Sequence, residues 1–562
     1  MAPRDSFDVA VVGAGPTGLT LALDLGRRGV RCLLLEREPS TKPYPRADRL
    51  NARTMESYRR LGLAQAIRDL GFPPEVPMNV FVASRLCEPP LAVIECPSVA
   101  EYRRWIAQHN DGCWPLEPYQ LVAQHDLEAL LRQAAEALPT VSLRFGCELT
   151  GLHQDDEGVT ITARHQSGRE ETFACRFLVG CDGAHSTVRR LLGVTMSGPG
   201  ELEQVQTQVI FRSHDLFERI PIGKGRHYFF VDGNGSRLVV QGNRKDFIFH
   251  TLLPPDSDFP RLLAELVGFP FHLDIRHVLV WHRRVLIAER FRQGRVFLAG
   301  DAAHLVSPTG GLGANGGIGD ALNLSWKLAG AVQGWAGPAL LDSYEAERRP
   351  VALHNCQASA WTFDGIARWR AVVKAYRRAR TEQEAQELRQ RLAQSARVDL
   401  ARYCGLAGER FGGKHCGSLL GAELGYTYAR SPVIACEEEG EAGWDPLVYT
   451  PSTSPGARIP HLWLRDGRPL QDVLGEGYTW LDLAPQPDAA RVEAAFQALG
   501  APLQVVALDE PHLRQVYGCR LLLLRPDLHI VWRGEQPPPD ASALAALATG
   551  HQATPAATFL SH

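Results

Sequence analysis

The chain has 562 residues, of which 45% are hydrophobic and 22% are charged, and its 60 Lys and Arg nearly balance its 63 Asp and Glu, for a net charge of −3. This composition is typical of globular proteins and excludes the fibrous, collagen-like and wholly disordered classes. A nearly neutral chain offers no strong field for nucleic acid or acidic lipid, and no apolar run reaches the roughly 18 residues of a membrane span. We therefore expect several folded units, no nucleic-acid partner and no membrane partner.

The N-terminal segment and the cysteines indicate a cytoplasmic protein. The segment MAPRDSFDVAVVGAG lacks the basic stretch, long apolar region and cleavage site of a secretory signal. The 12 cysteines include no C-x-x-C pair. Such a pattern is typical of reduced thiols in the cytoplasm and does not favour a disulfide framework or a metal site.

The start of the chain predicts a dinucleotide site. FDVAVVGAG is typical of a buried strand entering a glycine turn, PTGLTLALDLGRRG follows with helical spacing, and VRCLLLERE is a second buried strand. Gly13, Gly15 and Gly18 have G-x-G-x-x-G spacing, which permits a tight turn, close approach of a pyrophosphate and close helix packing. Glu36 ends the second strand, where it can accept hydrogen bonds from ribose hydroxyls. The motif leaves open NAD or FAD, and also a glycine turn without a ligand.

The rest of the chain alternates between helical and strand-rich segments. Residues 75–120 are irregular and rich in proline and aromatic residues, QHDLEALLRQAAEAL has helical spacing, and the following residues to about 180 have the alternation of a strand meander. Residues 201–289 are again strand-rich and contain no second dinucleotide fingerprint. Residues 356–403 favour helices with a solvated charged face, and the last part of the chain forms a separate strand-and-helix segment.

Two later blocks identify a family. They are FLVGCDGAHSTVRRLLG and GRVFLAGDAAHLVSPTGGLGANGGIGDALNLSWKLA. Together with the opening fingerprint, and in the same order, they resemble the three signatures of the group A flavoprotein monooxygenases, the aromatic hydroxylases that include para-hydroxybenzoate hydroxylase and phenol hydroxylase. The resemblance implies FAD as the bound dinucleotide, with NADPH or NADH as a transient co-substrate.

The resemblance also implies an α/β fold of three parts. A Rossmann-type FAD-binding domain would comprise residues 1–74, 121–200 and 290–403, and an inserted β-sheet substrate domain residues 75–120 and 201–289. Residues 415–562, which contain LGYTYARSP, PGARIPHLWL and RPDLHIVWRG, resemble the thioredoxin-like domain appended to phenol hydroxylase. Because Cys436 and Cys519 are far apart in the sequence and form no C-x-x-C, we expect a structural role, with stabilisation of a homodimer, and no thiol exchange.

Cofactor residues follow from the resemblance. Asp301 follows a buried strand, where an unpaired acid would be costly, and the family uses it to hold the FAD ribityl chain. The glycines around Gly311 would let the flavin approach the backbone, and a helix predicted to begin near Ala314 would direct its positive end at the flavin. Arg46 and Arg53 have two open interpretations, cofactor contact or surface charge, and Arg46 resembles the family arginine near the mobile flavin and the nicotinamide. The residues expected to contact FAD are Gly13, Gly15, Gly18, Glu36, Arg46, Arg53, Gln124, Asp182, Asp301, Gly311, Gly313, Ala314 and Asn315.

The candidate catalytic residues are Asp48, Tyr228 and Pro308. The stretch PRADRLNARTMESYRRLGL resembles the A-D-x-L-x-x-R-T-x-E-S segment of phenol hydroxylase, which implies that Asp48 deprotonates the substrate hydroxyl. A phenol with a pKa near 10 is about one part in a thousand ionised at pH 7, so forming the phenolate costs roughly 4 kcal/mol. The alternative for Asp48 is a helix-start or surface position. Tyr228, with its neighbours Arg226 and His227, is a candidate for lining the pocket, although a tyrosine on a strand is more often a core residue.

The predicted function is that of an FAD-dependent monooxygenase that hydroxylates a phenolic or polyketide-like aromatic substrate with NAD(P)H and O₂. In the family, oxygen is transferred from a flavin C4a-hydroperoxide, which requires a dry pocket. Baeyer–Villiger insertion or epoxidation on the same fold is the nearest alternative. A flavin reductase without an oxygenated product, and a catalytically silent flavin-binding scaffold, also remain open.

Overall fold

A computed structural model describes residues 6–41, 47–406, 410–411, 414–415, 419–435, 437 and 444–552, with the backbone alone at 201–204, 410–411 and 414–415. Residues up to 195 form ten strands, namely β1 (Ser6–Val12), β2 (Cys32–Glu36), β3 (Arg49–Leu50), β4 (Val80–Ala83), β5 (Ala92–Ile94), β6 (Gln120–Leu121), β7 (Val141–Phe145), β8 (Cys147–Gln154), β9 (Val159–His165) and β10 (Glu170–Gly180). The helices of this stretch are α1 (Pro16–Arg27), α2 (Ala52–Arg60), α3 (Ala64–Leu70), α4 (Val99–Gln108), α5 (Gln124–Glu136) and α6 (Thr187–Leu191).

The middle of the chain is mostly β-sheet. Its strands are β11 (Met196–Arg212), β12 (His227–Phe230), β13 (Arg237–Val240), β14 (Asp246–Thr251), β15 (Asp274–Ala288), β16 (Arg292–Gln293), β17 (Val296–Leu298) and β18 (His304–Leu305). Its helices are α7 (Leu216–Arg219) and α8 (Phe259–Val267), and a single 3₁₀ turn lies at Gly300–Ala302.

The remaining described residues form eight helices, namely α9 (Leu312–Gln333), α10 (Pro338–Tyr376), α11 (Glu382–Ser395), α12 (Ala401–Tyr403), α13 (Leu420–Leu424), α14 (Ala490–Ala498), α15 (Pro511–Tyr517) and α16 (Ala541–Ala548). A π-helical segment at Ala396–Leu400 precedes α12, and a 3₁₀ turn lies at Leu470–Asp472. The strands are β19 (Arg410–Phe411), β20 (Lys414–His415), β21 (Tyr478–Asp482), β22 (Leu503–Ala507), β23 (Leu521–Leu524) and β24 (Ile530–Gly534). None of the helices in the described ranges is long and apolar enough to cross a membrane.

The first sheet has the order β16-β17-β10-β1-β2-β7, and β17, β10, β1, β2 and β7 pair in parallel. Residues 9–12 of β1 and the apolar residues of β2 are almost fully buried, as expected for parallel strands covered on both faces. Helix α1 connects β1 to β2 and packs against α9. This approach is close because Gly317 has no side chain: a Cβ there would lie 2.4 Å from Oγ1 of Thr17.

The second sheet has the order β18-β15-β11-β14-β13-β12-β4-β5, so strands from residues 80–94 complete a sheet built mainly from residues 196–288. Its short edge strand β18 comes from the stretch expected in the FAD-binding domain. Tyr228 pairs with Leu238 and Phe81, and Arg237 pairs with Phe229 and His250. Since successive strand residues point to opposite sides, Tyr228 lies on one face and Arg237 on the other. We call the side that bears Arg237 and His250 the basic face.

The C-terminal sheet has the order β22-β21-β23-β24, with β21 and β22 parallel and the other pairs antiparallel. Helices α14, α15 and α16 follow its strands, and Trp480 stacks on Trp532 with ring centroids 5.5 Å apart. Cys519 is buried, whereas Cys436 lies outside the described residues.

Helix α10 contacts all three parts of the molecule. Leu340 belongs to the C-terminal core, Tyr344 to the core of the first sheet and Trp369 to the core of the second sheet. Its buried Glu347 accepts hydrogen bonds from Nζ of Lys327 at 2.7 Å and from Nη1 of Arg525 at 2.6 Å. Helix α10 therefore fixes the first sheet, the second sheet and the C-terminal unit relative to one another.

Candidate functional site

A groove opens above the carboxyl ends of β1 and β2. It encloses about 1030 Å³, including its open mouth, and Gly13, Gly15, Glu36, Gln124 and Asp182 all line it. The turn after β1 needs glycine first for conformation, because Gly13 has φ of +106° and a Cβ there would lie 2.4 Å from the carbonyl oxygen of Cys181. The five predicted residues therefore meet in one place, although they come from four separate segments.

Glu36 and Asp182 present acceptors to this groove. Oε2 of Glu36 accepts from N of Ala14 at 2.7 Å, which fixes the carboxylate beside the glycine turn. Asp182 accepts from Oγ of Ser186 at 2.5 Å and from N of Thr187 at 2.6 Å, so it also supports the start of α6. Gln124 donates to Oε1 of Glu128 at 2.7 Å. Carboxylates in these positions suit hydroxyl donors such as those of ribose and repel phosphate.

The groove has the properties that a dinucleotide requires. No atom lies within 4 Å of a Cβ built on Gly15, so the backbone there is open to a ligand. Gly15 precedes α1, whose first turn has no side-chain cap and no acidic residue. Free amide groups at a helix N-terminus attract phosphate. The residues present therefore fit an ADP-containing cofactor.

A second part of the site lies at the N-terminus of α9. Asn315 accepts from N of Asn51 at 2.9 Å and donates to the carbonyl oxygens of Arg49 at 3.0 Å and Gly311 at 2.7 Å. These bonds join the start of α9 to the short strand β3. A Cβ on Gly313 would have no atom closer than 4.0 Å, so the backbone beside Ala314 is accessible.

Not every glycine of the predicted flavin-contacting run serves a ligand. A Cβ on Gly310 would lie 2.7 Å from Cδ1 of Leu419, and one on Gly319 would lie 2.9 Å from Nη2 of Arg348. Like Gly317, these two glycines leave room for neighbouring protein side chains to pack against the backbone. The open positions are Gly311 and Gly313, and α9 begins at Leu312, two residues before the predicted start.

Asp301 is exposed, so the expectation that it is a buried acid was wrong. The buried acid is Asp320 on α9, which accepts from Nε2 of His304 at 2.6 Å and from Nε of Arg348 at 2.7 Å. Burial alone would raise the pKa of Asp320, but His304 and Arg348 hold this pKa below its ordinary value. The members of this cluster meet only in the folded chain, so the sequence gives no signal of their pairing. Asp301, in contrast, is exposed just after the end of β17.

Asp48 lies on the strand-like segment that precedes β3 and is 6% exposed. Its carboxylate forms a two-point ion pair with Arg226: Nε of Arg226 donates to Oδ2 at 3.2 Å, and Nη2 donates to Oδ1. Its backbone oxygen accepts from N of Val122 at 2.7 Å. A surface position for Asp48 is therefore wrong. The fold brings this acid to the start of the second sheet.

Tyr228 does not reach this site. Its hydroxyl donates to the carbonyl oxygen of Gly223 at 2.9 Å and accepts from N of Gly225 at 3.1 Å, and its ring stacks on Phe81. Burial raises the pKa of Tyr228. The side chain lies on the face opposite to Arg237, so the structure gives Tyr228 a core position and no place beside Asp48.

The remaining candidates within the described residues lie outside the groove beside Glu36. Pro308 is exposed in the turn before α9. Arg46 lies outside the described residues. Arg53 lines a second cleft, of about 870 Å³, between α2, the start of α9 and the C-terminal unit, which Asn315 also lines; there Nη2 of Arg53 donates to the carbonyl oxygen of Asp527 at 2.8 Å. Arg53 is therefore not in the dinucleotide groove.

Two half-buried histidines lie near Arg226 and Arg237. Burial first, and then the charges of Arg226 and Arg237, lower the pKa of His227 well below its ordinary value. Burial and the charge of Arg237 also lower the pKa of His250. Both imidazoles are therefore neutral near pH 7, and the charge of the basic face comes from its arginines.

Comparison with known proteins gives matches along most of the chain. The family model described as FAD binding domain matches residues 6–359, and the model described as aromatic-ring hydroxylase, C-terminal, matches residues 452–553. The chain is 33% identical to FAD-dependent monooxygenase apdD of Emericella nidulans, over 95% of this chain and 89% of that protein. It is 32% identical to tetracenomycin B2 monooxygenase-dioxygenase of Streptomyces olivaceus, over 96% and 97%.

Solved structures of similar proteins match the chain along nearly its whole length. RebC with bound 7-carboxy-K252c superposes with a TM-score of 0.84 at 30% identity, over 98% of this chain and all of that chain. Aklavinone-11 hydroxylase, solved with FAD and aklavinone, superposes with a TM-score of 0.76 at 28% identity, over 97% and 98%. These matches confirm the predicted fold class.

Proposed function

Because the chain belongs to the FAD-dependent aromatic-ring hydroxylases and is a flavin monooxygenase, we propose that it hydroxylates a polyketide-like phenolic ring with O₂ and with electrons from NADPH or NADH. The observation that carries the proposal is the placement of Asp48. Its carboxylate is paired with Arg226 beside the second sheet, and the carbonyl oxygen of the next residue, Arg49, accepts from Asn315 at the start of α9. A substrate bound there would have its hydroxyl beside an anionic acceptor.

The groove supplies the cofactor site. FAD, when bound and reduced, supplies the electrons that activate O₂. We assign its pyrophosphate to the Gly13–Gly18 turn and the N-terminus of α1, and its ribose to Glu36. Asp301 and the open backbone at Gly311 and Gly313 are assigned to the ribityl chain and flavin ring.

Asp48 is assigned the substrate hydroxyl. An oxygen of its carboxylate accepts the phenolic proton or a strong hydrogen bond from it, while Arg226 fixes the orientation of the carboxylate. Phenolate is electron-rich, so this contact favours electrophilic oxygen transfer to the ring. Buried aromatic residues such as Phe229 on the same sheet limit the entry of water, which protects the reaction from loss of the activated oxygen.

The relatives favour ring oxygenation over Baeyer–Villiger insertion, over a reductase without an oxygenated product and over a silent scaffold. We also propose a cytoplasmic homodimer. The support for the location is that the ten cysteines of the described residues form no disulfide with one another. Sedimentation equilibrium of the FAD-loaded protein tests the dimer.

The test is turnover by the FAD-loaded protein with NADPH and with NADH, across phenols, hydroxybenzoates, polycyclic hydroxyquinones and ketones. Product mass and hydrogen peroxide are measured together. We expect a hydroxyquinone or phenol to stimulate oxidation of the nicotinamide and to gain one oxygen atom with little peroxide. Oxygenation of ketones alone would support the Baeyer–Villiger alternative, and oxidation independent of every substrate would contradict the proposal.

A further inference from the structure

A buried ion pair lies beside the backbone positions assigned to the flavin ring. Nη2 of Arg49 donates to Oε1 of Glu423 at 3.1 Å, and the two side chains are 6% and 1% exposed. Nη1 of Arg49 also donates to the carbonyl oxygen of Gly310 at 3.4 Å. A buried ion pair contributes little net stability compared with apolar side chains of the same size, so stability alone does not explain this pair.

The cationic end of the pair lies next to Gly311. A Cβ built on Gly311 would lie 3.7 Å from Nη1 of Arg49, so the guanidinium borders the open side of this glycine. The carboxylate of Glu423 lies at the other end of the pair, where its Oε2 accepts from N of Ala52 at the start of α2. The backbone oxygen of Arg49 accepts from Nδ2 of Asn315 at 3.0 Å, which fixes β3 against the start of α9. The pair is therefore a fixed dipole whose positive end borders the site assigned to the flavin.

The charge of Arg49 also reaches the second sheet. Burial is the main cause that lowers the pKa of His227, and the charge of Arg49 adds to the lowering. Burial raises the pKa of Tyr119, and the charge of Arg49 opposes this rise. The guanidinium therefore acts beyond its direct contacts, because water is largely excluded from this part of the molecule and screens the charge little.

Glu423 comes from a distant segment of the chain. It belongs to α13, which precedes the C-terminal sheet, and it lies 374 positions after Arg49 on β3. Leu419 and Ala422 hold this segment in place, because they pack in one small core with Leu312 at the start of α9. The segment that leads into the C-terminal unit thus places one carboxylate near the site assigned to the flavin.

We propose that Arg49 and Glu423 together set the reduction potential of the bound flavin, with Arg49 raising the potential and Glu423 lowering it. The inference rests on the proposed function, because it takes a nicotinamide as the reductant. A hydride from NADPH or NADH brings two electrons and one proton to the flavin and leaves the oxidised nicotinamide. The flavin ring then carries one negative charge, which a nearby cation stabilises and a nearby anion destabilises. Both residues act through their charge, without contact with the substrate.

The experiment measures the reduction potential of the FAD-loaded protein, without substrate and without oxygen, by reductive titration against reference dyes. The variants are Glu423→Gln, Arg49→Met and the double variant, which keep side chains of similar length. Asp482→Asn is the matched control, because Asp482 is also a buried carboxylate paired with an arginine, Arg520, at 2.9 Å, but it lies in the C-terminal sheet. Bound FAD, measured by absorbance, shows that each variant is folded.

We expect Glu423→Gln to raise the equilibrium constant for two-electron reduction at least tenfold, which is a rise in potential of about 30 mV. We expect Arg49→Met to lower this constant at least tenfold, because the charge of Glu423 then acts without that of Arg49. The double variant falls between the two single variants, since neither charge remains. The control changes the constant by less than about threefold.

Shifts of the same sign in both single variants, or shifts no larger than that of the control, would overturn the tuning role. A pair that only holds the fold together gives no reason for shifts of opposite sign. If Arg49→Met does not bind FAD, Glu423→Gln decides alone, and a potential that does not rise overturns the proposal.

Product mass in a parallel turnover assay separates this result from failure of the proposed function. If the potentials shift in opposite directions but no compound gains oxygen, the tuning role stands and the proposed function fails. If phenols gain oxygen while the potentials do not shift, the proposed function stands and the tuning role does not.

Discussion

Replacing Asp48 by asparagine tests whether its carboxylate takes a proton from the substrate. The side chain is 6% exposed, and Arg226, whose side chain is 13% exposed, contacts both carboxylate oxygens. Asparagine keeps the size and one acceptor oxygen, but it cannot take a proton, and its amide group would face the donors of Arg226. The substitution therefore removes the base while changing the shape of the site little.

The expected loss of oxygenation rate follows from how little of the phenol is ionised. A phenol of pKa near 10 is about one part in a thousand ionised at pH 7, which sets an upper limit of about 1000-fold on what a base can contribute by forming phenolate. General bases contribute about 100- to 10,000-fold. We therefore expect Asp48→Asn to oxygenate such a phenol about 100- to 1000-fold more slowly at pH 7. A phenol of pKa near 7 is already half ionised and loses only a few-fold.

The assay is the rate of formation of oxygenated product with both phenols between pH 6 and about 9.5. The rate of the variant with the weakly acidic phenol rises about tenfold per pH unit, because solvent then supplies the phenolate, whereas the wild-type rate changes little. Asp246→Asn is the matched control, since Asp246 forms a similar two-point pair with Arg212 on the same sheet. Equal losses for both phenols would refute proton transfer and leave Asp48 as a positioning residue for Arg226.

Two further predictions concern the cofactor groove and the contact between parts of the molecule. Gly18→Ala lowers the thermal unfolding temperature of the FAD-free protein, because its Cβ would lie 1.9 Å from the carbonyl oxygen of Gly13. A Cβ at Gly15 meets no protein atom within 4 Å, so Gly15→Ala instead weakens the binding of FAD at least tenfold in a fluorescence titration. If Gly18→Ala weakened FAD binding alone and Gly15→Ala lowered the unfolding temperature alone, the assignment of FAD to this groove would be contradicted. Glu347→Gln removes the carboxylate partner of the buried Lys327, whereas the buried Arg525 keeps Asp527, and it destabilises the protein by about 3–5 kcal/mol at pH 7, measured by denaturant unfolding. Glu218→Gln at an exposed pair changes stability by less than about 1 kcal/mol. Burial alone would raise the pKa of Glu347, but its cationic partners hold this pKa below the ordinary value. The stabilisation by Glu347 is therefore fully present above about pH 4.5 and is lost as the pH falls through the lowered pKa. Below pH 4.5 we expect the free energy of unfolding to change less steeply with pH in Glu347→Gln than in the wild type, and an unchanged slope would refute this.

The sequence predicted the parts of the site that are local in the chain. Gly13, Gly15 and Glu36 lie within one βαβ unit, whose spacing alone brings them together. Asp48 was found through a family motif, but its partner Arg226 was named only as a possible lining residue. These two residues are 178 positions apart and meet only when the second sheet forms.

The burial of acidic residues and the face of the sheet to which a side chain points were harder to predict. Asp301 follows a buried strand and was expected to be buried, yet Asp320 is the buried acid because one face of α9 packs against α10. For Tyr228, alternation shows that it and Arg237 point to opposite faces once the register is known, but the sequence does not show which face meets the cofactor domain. Helix α10 continues through Pro350, although proline usually ends a helix.

The length of α10 limits how this protein can be divided. At about 1.5 Å per residue its 39 residues extend for nearly 60 Å, and the apolar positions Leu340, Tyr344 and Trp369 bury themselves in three different cores. Any fragment that keeps the whole helix but omits one of these parts exposes apolar side chains to water. Any cut within the helix before Trp369 removes a helix that packs against the second sheet. Chimeras that exchange substrate specificity between relatives should therefore transfer the C-terminal half of α10 together with the second sheet.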